Sequence, residues 1–186
     1  MALDPYLEGF CERWREKADG YGTVKTEDWF DRFFTLWVLF NALYTEVALR
    51  TGNAGVPDDS AAQDILLHYL TATTFAAQLN ADNAVVAALA EIQTFLQGHH
   101  YFFKLDRRTG ERQPVEDEEL LGRLRANSRN EQGRAILEAL YCVRCNMFHG
   151  HKAFDPVQVA LLRPMIVILG KVIDLTRIKL GSDPKE

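Results

Sequence analysis

The chain has 186 residues, of which 47% are hydrophobic and 25% charged, proportions that suit one globular domain with a sizeable core and exclude a disordered or fibrous chain. Its net charge of −5 argues against a general polyanion binder, but residues 104–152 carry ten Lys or Arg against eight Asp or Glu, so any phosphate site should lie in the middle-to-late part of the chain, although on charge alone an ordinary solvated surface is the preferred reading. Three cysteines, Cys11, Cys142 and Cys145, cannot all pair within one chain, and residues 1–5 hold neither a basic n-region nor a long apolar h-region, so the expected home is the cytoplasm.

Helical periodicity accounts for most of the chain, and no repeat or alternating strand pattern stands out. A first helix is predicted from Asp4 or Pro5 to Ala18, with Leu7, Phe10, Cys11 and Trp14 on one side and Gly20-Tyr21-Gly22 ending it. The second should start near Thr26, where Glu27 and Asp28 suit the positive end of the helix dipole, and run to about Thr51. Phe30, Phe34, Trp37, Asn41, Tyr44 and Ala48 recur there at helical spacing, with Phe33, Leu36, Phe40, Leu43 and Val47 making a second apolar side. A helix so apolar belongs at the centre. Val56-Pro57-Asp58-Asp59-Ser60 opens a third helix expected to reach Leu79, and a fourth spans about Asn83 to Gln97.

Periodicity lapses between Gly98 and Pro114, which predicts a loop or a short hairpin. The aromatic run His99-His100-Tyr101-Phe102-Phe103 within it is either a base-stacking patch or the edge of the core. A short helix follows over about Glu116 to Ala126, then a longer one from Arg129 that carries Ile136, Leu137, Leu140 and Val143 toward Gly150. Asp155-Pro156 forms an N-cap and first-turn pair for a last helix reaching about Leu180, which Pro164 should interrupt or kink. Its apolar stretch from Val157 to Leu175 contains Arg163, Pro164 and Lys171, too interrupted for the about 20 apolar residues of a bilayer span, so no membrane association is expected.

The chemistry concentrates in Tyr141-Cys142-Val143-Arg144-Cys145-Asn146-Met147-Phe148-His149-Gly150-His151-Lys152. Arg144 is a permanent cation that matches phosphate with two parallel hydrogen bonds. His149 titrates near neutrality and can give or take a proton. On an ideal helix the two lie about 140° apart, so they converge only if the helix ends near Phe148 or if a second protomer completes the site. Asn146 and His149 share a face, and His151 and Lys152 are candidates for a flanking phosphate. The plainer alternative is that Arg144 and His149 cap a helix C-terminus, where cations are favoured. Asn41 is either a satisfied core amide or a brace for the arginine. Cys142-Val143-Arg144-Cys145 is a lone C-x-x-C with a cation between the thiols and no fourth ligand, so packing is preferred to zinc or redox chemistry and no metal or other cofactor is expected.

Arg144-x4-His149 resembles the R-x4–6-H signature of HEPN domains, and Arg-Cys-Asn-Met-Phe-His-Gly-His-Lys is similar to the fuller form in many bacterial members. The earlier segment from Arg32 to Tyr44, ending Trp37-Val38-Leu39-Phe40-Asn41-Ala42-Leu43-Tyr44, resembles the Trp-x-x-Phe-Asn-Ala-Leu-Tyr helix of the same group, so the resemblance covers about residues 28–175 of a single domain spanning 1–186. It implies an all-α, up-and-down bundle, here of five to seven helices, paired as a two-fold dimer with the motifs of two protomers facing each other. Active members of the family are metal-independent endoribonucleases; others bind RNA or serve as partner modules. The implied roles are catalytic for Arg144, His149 and Asn146 and substrate-binding for His151, Lys152 and Asn41. The function so implied is a toxin or host-defence ribonuclease. Its alternative is a catalytically silent module that binds RNA, nucleotide or a partner protein, whether an antitoxin or a nucleotidyltransferase. The residue after the motif arginine, often polar in the family, is Cys145 here, with the amide displaced to Asn146. A purely structural helical dimer is the third reading.

Overall fold

The computed structural model describes residues 3–106, 108–148 and 156–183, and the side chains of Phe148, Pro156 and Val157 are not described. The first helix, α1, runs Pro5–Asp19; the Asp4 carboxylate accepts from the Tyr6 N–H at 3.0 Å and the Leu7 N–H at 3.4 Å, satisfying two of the free donors of its first turn. Helix α2, Thr26–Arg50, is buried along nearly its whole length through Phe30, Phe33, Leu36, Trp37, Phe40, Leu43, Tyr44 and Val47. It is the central helix that its composition predicts.

The third segment departs from expectation. Helix α3 covers 58–70, with Ala61–Ile65 wound as a π-helical turn, and it stops at Thr71, whose φ is +60°. A left-handed φ breaks the helical hydrogen-bond ladder, and α4 restarts at Ala72–Asn80. One predicted helix is therefore two, and the described residues hold eight helices where five to seven were expected.

Helix α5, Asn83–Gln97, starts at the predicted place, with Asp82 accepting from the Ala84 N–H at 3.0 Å and the Val85 N–H at 3.3 Å. The loop that follows folds back on itself: Leu105 and Arg112 form one antiparallel bridge, the Asp106 N–H reaches the Glu111 carbonyl at 2.8 Å, and Gly110 takes the turn at φ +73°. Helix α6, Pro114–Leu124, opens with proline in its first turn, and α7, Arg129–Phe148, carries the motif. Helix α8, Pro156–Ser182, runs on through Pro164, so the proline does not interrupt it with a turn; the missing N–H removes one bond while Leu161, Leu162, Met165 and Leu169 stay buried around it. The expected Asp155 cap lies outside the described residues.

The bundle is organised around α2 and α8. Helix α1 packs on α2, α5 on α8, α3 on α2 and α7, α4 on α7, and α6 on α5 and α7. The core is continuous from Phe33 and Phe40 on α2 through Ile136 and Leu140 on α7 to Leu169 and Ile173 on α8. No helix among the described residues is long and apolar enough to cross a membrane.

Candidate functional site

Arg144 sits on the last described turns of α7 with its guanidinium carbon 5.8 Å from the Tyr141 ring centre and 5.9 Å from that of Trp37. Tyr141 comes from one turn earlier on the same helix and Trp37 from α2, so the cation lies over two aromatic faces whose electron-rich surfaces attract it. Its Nη1 also lies 3.8 Å from Cys145 Sγ. The side chain is half-buried.

Beneath this pair lies a group that sequence reasoning missed. Asp58, at the start of α3, accepts a hydrogen bond from the Tyr141 hydroxyl at 3.2 Å, another from the Tyr44 hydroxyl, and a third from Asn41 Nδ2 at 3.4 Å. Asn41 Nδ2 also donates to the Tyr44 hydroxyl. One carboxylate thus ties α2, α3 and α7 together beside Arg144. Burial, and then the adjacent Asp58, push the Tyr44 hydroxyl well above its ordinary pKa. Tyr141 moves the same way, through burial first, then Cys145 and Asp58. Both remain protonated donors. Asn41 is exposed rather than a core amide, and its bonds run to Tyr44 and Asp58. In sequence, Asp58 looks like an ordinary first-turn acid; its partners lie 14, 17 and 83 residues away, where no local pattern reaches.

Asn146 is buried and turned toward the 98–113 loop. Its Nδ2 donates to the Phe102 carbonyl at 3.1 Å and the Phe103 carbonyl at 3.0 Å. From the other side, Asp117 Oδ1 accepts from the Phe103 N–H at 3.1 Å and the Lys104 N–H at 2.9 Å. The loop backbone is therefore clamped between α6 and α7, and the amide expected among the catalytic groups has both hydrogens engaged here. Burial, against those two N–H bonds and nearby Lys104 and His99, raises the Asp117 carboxyl to about 6. Lys104 then reaches Glu138 on α7 at 2.5 Å, and Arg123 grips the same carboxylate at 2.6 and 3.0 Å. Burial alone would raise Glu138, but its bonds from Arg123 and Lys104 outweigh that and hold it below the usual range.

The aromatic run divides between the two readings. Tyr101 and Phe103 are core residues, edge-to-face with ring centres 5.3 Å apart. His99 and His100 are exposed; His99 lies nearly parallel to Phe102, and Arg112 covers the Phe102 ring at 4.5 Å.

Between α7 and this clamped loop lies a cavity of about 640 Å³. Arg144, Tyr141, Cys142, Cys145 and Asn146 form its α7 wall, and residues 103–106, Gln113 and Glu116 the opposite one. Burial pushes the Cys142 thiol up to about 12, so it stays protonated. Among the described residues no group of three His, Cys, Asp or Glu is arranged to hold a metal ion. His149, His151 and Lys152 lie outside the described residues, so their distance from Arg144 is not part of this geometry. The described part of the site can place an anion against Arg144, while the hydroxyls of Tyr44 and Tyr141 beside it are committed to Asp58.

Among known proteins the chain matches no family model, no curated protein and no solved structure.

Proposed function

We propose that the chain is a HEPN-like, metal-independent endoribonuclease of the toxin or host-defence kind. The observation that carries this reading is the position of Arg144, held over Tyr141 and Trp37 at the wall of a polar cavity of about 640 Å³. A guanidinium at the wall of a cavity matches the charge that builds on a phosphorane. In the proposed reaction one His149 takes the proton of a ribose 2′-hydroxyl as the O2′–P bond forms. The P–O5′ bond breaks, and a second His149, from a two-fold partner, protonates the leaving 5′-oxygen. The products are a 2′,3′-cyclic phosphate and a free 5′-hydroxyl. His151 and Lys152 are proposed to hold a flanking phosphate, and Asn41 to act at one remove through Tyr44 and Asp58.

The commitment of Asn146 to the loop carbonyls favours the alternative of a silent module that binds RNA, nucleotide or a partner such as an antitoxin or nucleotidyltransferase. Purified protein incubated with RNA in excess EDTA separates the two. The nuclease reading expects cleavage with cyclic-phosphate ends, lost in Arg144→Ala and His149→Ala, and a dimer by light scattering at micromolar concentration. RNA binding without cleavage favours the silent module, and a monomer removes the composite site.

A further inference from the structure

The cavity beside Arg144 has one wall whose chemistry the cleavage reaction leaves unused. Gln113, just before α6, and Glu116, in its first turn, line it together with Leu105 and Lys104 of the clamped loop. Its volume of about 640 Å³ falls inside the ~300–1,000 Å³ typical of small-ligand pockets, enough for a nucleoside with its phosphate. We propose that this wall reads a guanine base, so that the site takes single-stranded RNA with the guanosine 3′-phosphate on Arg144.

The chemistry selects one base. An ionised carboxylate accepts hydrogen bonds only, and it is best satisfied by two adjacent donors. Guanine alone offers such a pair, N1–H and the N2 amino group, and beside them an O6 acceptor for an amide N–H such as that of Gln113. Adenine sets its N1 lone pair, cytosine its N3 lone pair, and uracil an O2 or O4 carbonyl beside any donor, so each turns an acceptor toward Glu116. Unpaired bases of single-stranded RNA are read on this edge. The wall is also held in place. Asp117 Oδ1 and Asn146 Nδ2 grip the backbone of residues 102–104 from opposite sides, and the Gln113 N–H bonds to the Lys104 carbonyl at 3.0 Å. Arg144 lines the α7 wall of the same cavity, where its guanidinium can meet the phosphate by two parallel hydrogen bonds.

This inference rests on the reading that the Arg144 cavity takes RNA, and it is tested apart from cleavage. The four nucleoside 3′-monophosphates are titrated into the full chain by calorimetry, with the fluorescence of Trp37, beneath Arg144, as a second readout. Guanosine 3′-monophosphate should bind about tenfold or more tighter than the other three, as expected for a bidentate base contact. Glu116→Gln, an exposed substitution, should bring the four within about twofold of one another, whereas Arg144→Ala should weaken all four alike. Equal affinities, no binding, or a guanine preference that persists in a folded Glu116→Gln variant would overturn the proposal. Guanine-selective binding without RNA cleavage keeps it and sinks the nuclease reading. Cleavage without base preference sinks it and leaves the nuclease reading standing.

Discussion

Asp117→Asn should make the protein more stable at neutral pH and slightly less stable, by about 1 kcal/mol, in acid. Asp117 is 2% exposed, and while Oδ1 accepts two backbone N–H groups, Oδ2 has no hydrogen-bond partner among the described residues. Burial holds its folded pKa at about 6 against an ordinary 3.8, so the folded state binds this proton more tightly than the unfolded chain does. Above pH 6 both states are ionised and the folded state bears the full cost of the buried charge. As pH falls from 6 to 4 the folded state takes up a proton that the unfolded chain does not, and stability rises; below 4 the contribution is constant. A shift of about two units corresponds to about 3 kcal/mol. Asparagine keeps the Oδ1 acceptor and removes the charge, but its amide hydrogens lack a partner where Oδ2 was. That leaves a net gain of about 2 kcal/mol at pH 7.5, or about 4–8 °C in Tm for a chain of this size. Thermal and urea unfolding of both proteins from pH 4 to pH 8 measures it. A gain independent of pH, or a loss at pH 7.5, would show that Asp117 is a satisfied carboxylate and that the account of the loop clamp is wrong.

Three further outcomes follow from the same geometry. Glu138→Ala should destabilise by about 2–3 kcal/mol in urea unfolding, because Lys104 and Arg123 lose their shared acceptor in a part-buried setting; a change under about 0.5 kcal/mol would mean the cluster is solvated. Iodoacetamide at pH 8 should leave Cys142, whose thiol is pushed up to about 12, and the fully buried Cys11 unmodified in the folded protein; mass spectrometry finding Cys142 labelled as fast as a free thiol contradicts this. Tyr141→Phe removes one of the three bonds to Asp58 but keeps the ring under Arg144, so any RNA affinity should fall by less than about threefold, whereas Tyr141→Ala, which also removes that ring, should cost about tenfold in a filter-binding assay.

What the sequence reveals of the fold is what local chemistry decides. Asp4-Pro5, Asp82 and Pro114 mark helix starts because capping acts within one turn, and the two apolar sides of α2 mark a central helix because burial follows composition. The break at Thr71 was not legible. His68-Tyr69-Leu70-Thr71-Ala72 contains neither glycine nor proline, and a threonine at φ +60° is disfavoured on its own, so the surrounding tertiary packing has to hold it there. The same limit explains Pro164. A proline breaks an isolated helix, yet four buried neighbours on α8 offset one lost hydrogen bond.

The candidate site divides along the same line, and the division bears on how Arg144 works. Tyr141 under Arg144 follows from a three-residue spacing on one helix. Everything that fixes the arginine's surroundings comes from farther away. Trp37 arrives from α2, Asp58 from α3, and the Phe102–Lys104 backbone from a loop more than 40 residues upstream of Asn146. Asn146 shows the consequence: its type and spacing suit a phosphate contact, but a buried carbonyl pair without a donor would cost more than an exposed amide gains. The packed core therefore claims it. Arg144 differs because its guanidinium rests on the aromatic faces of Tyr141 and Trp37 and lines the cavity wall, whereas the amide of Asn146 is taken up by the loop backbone.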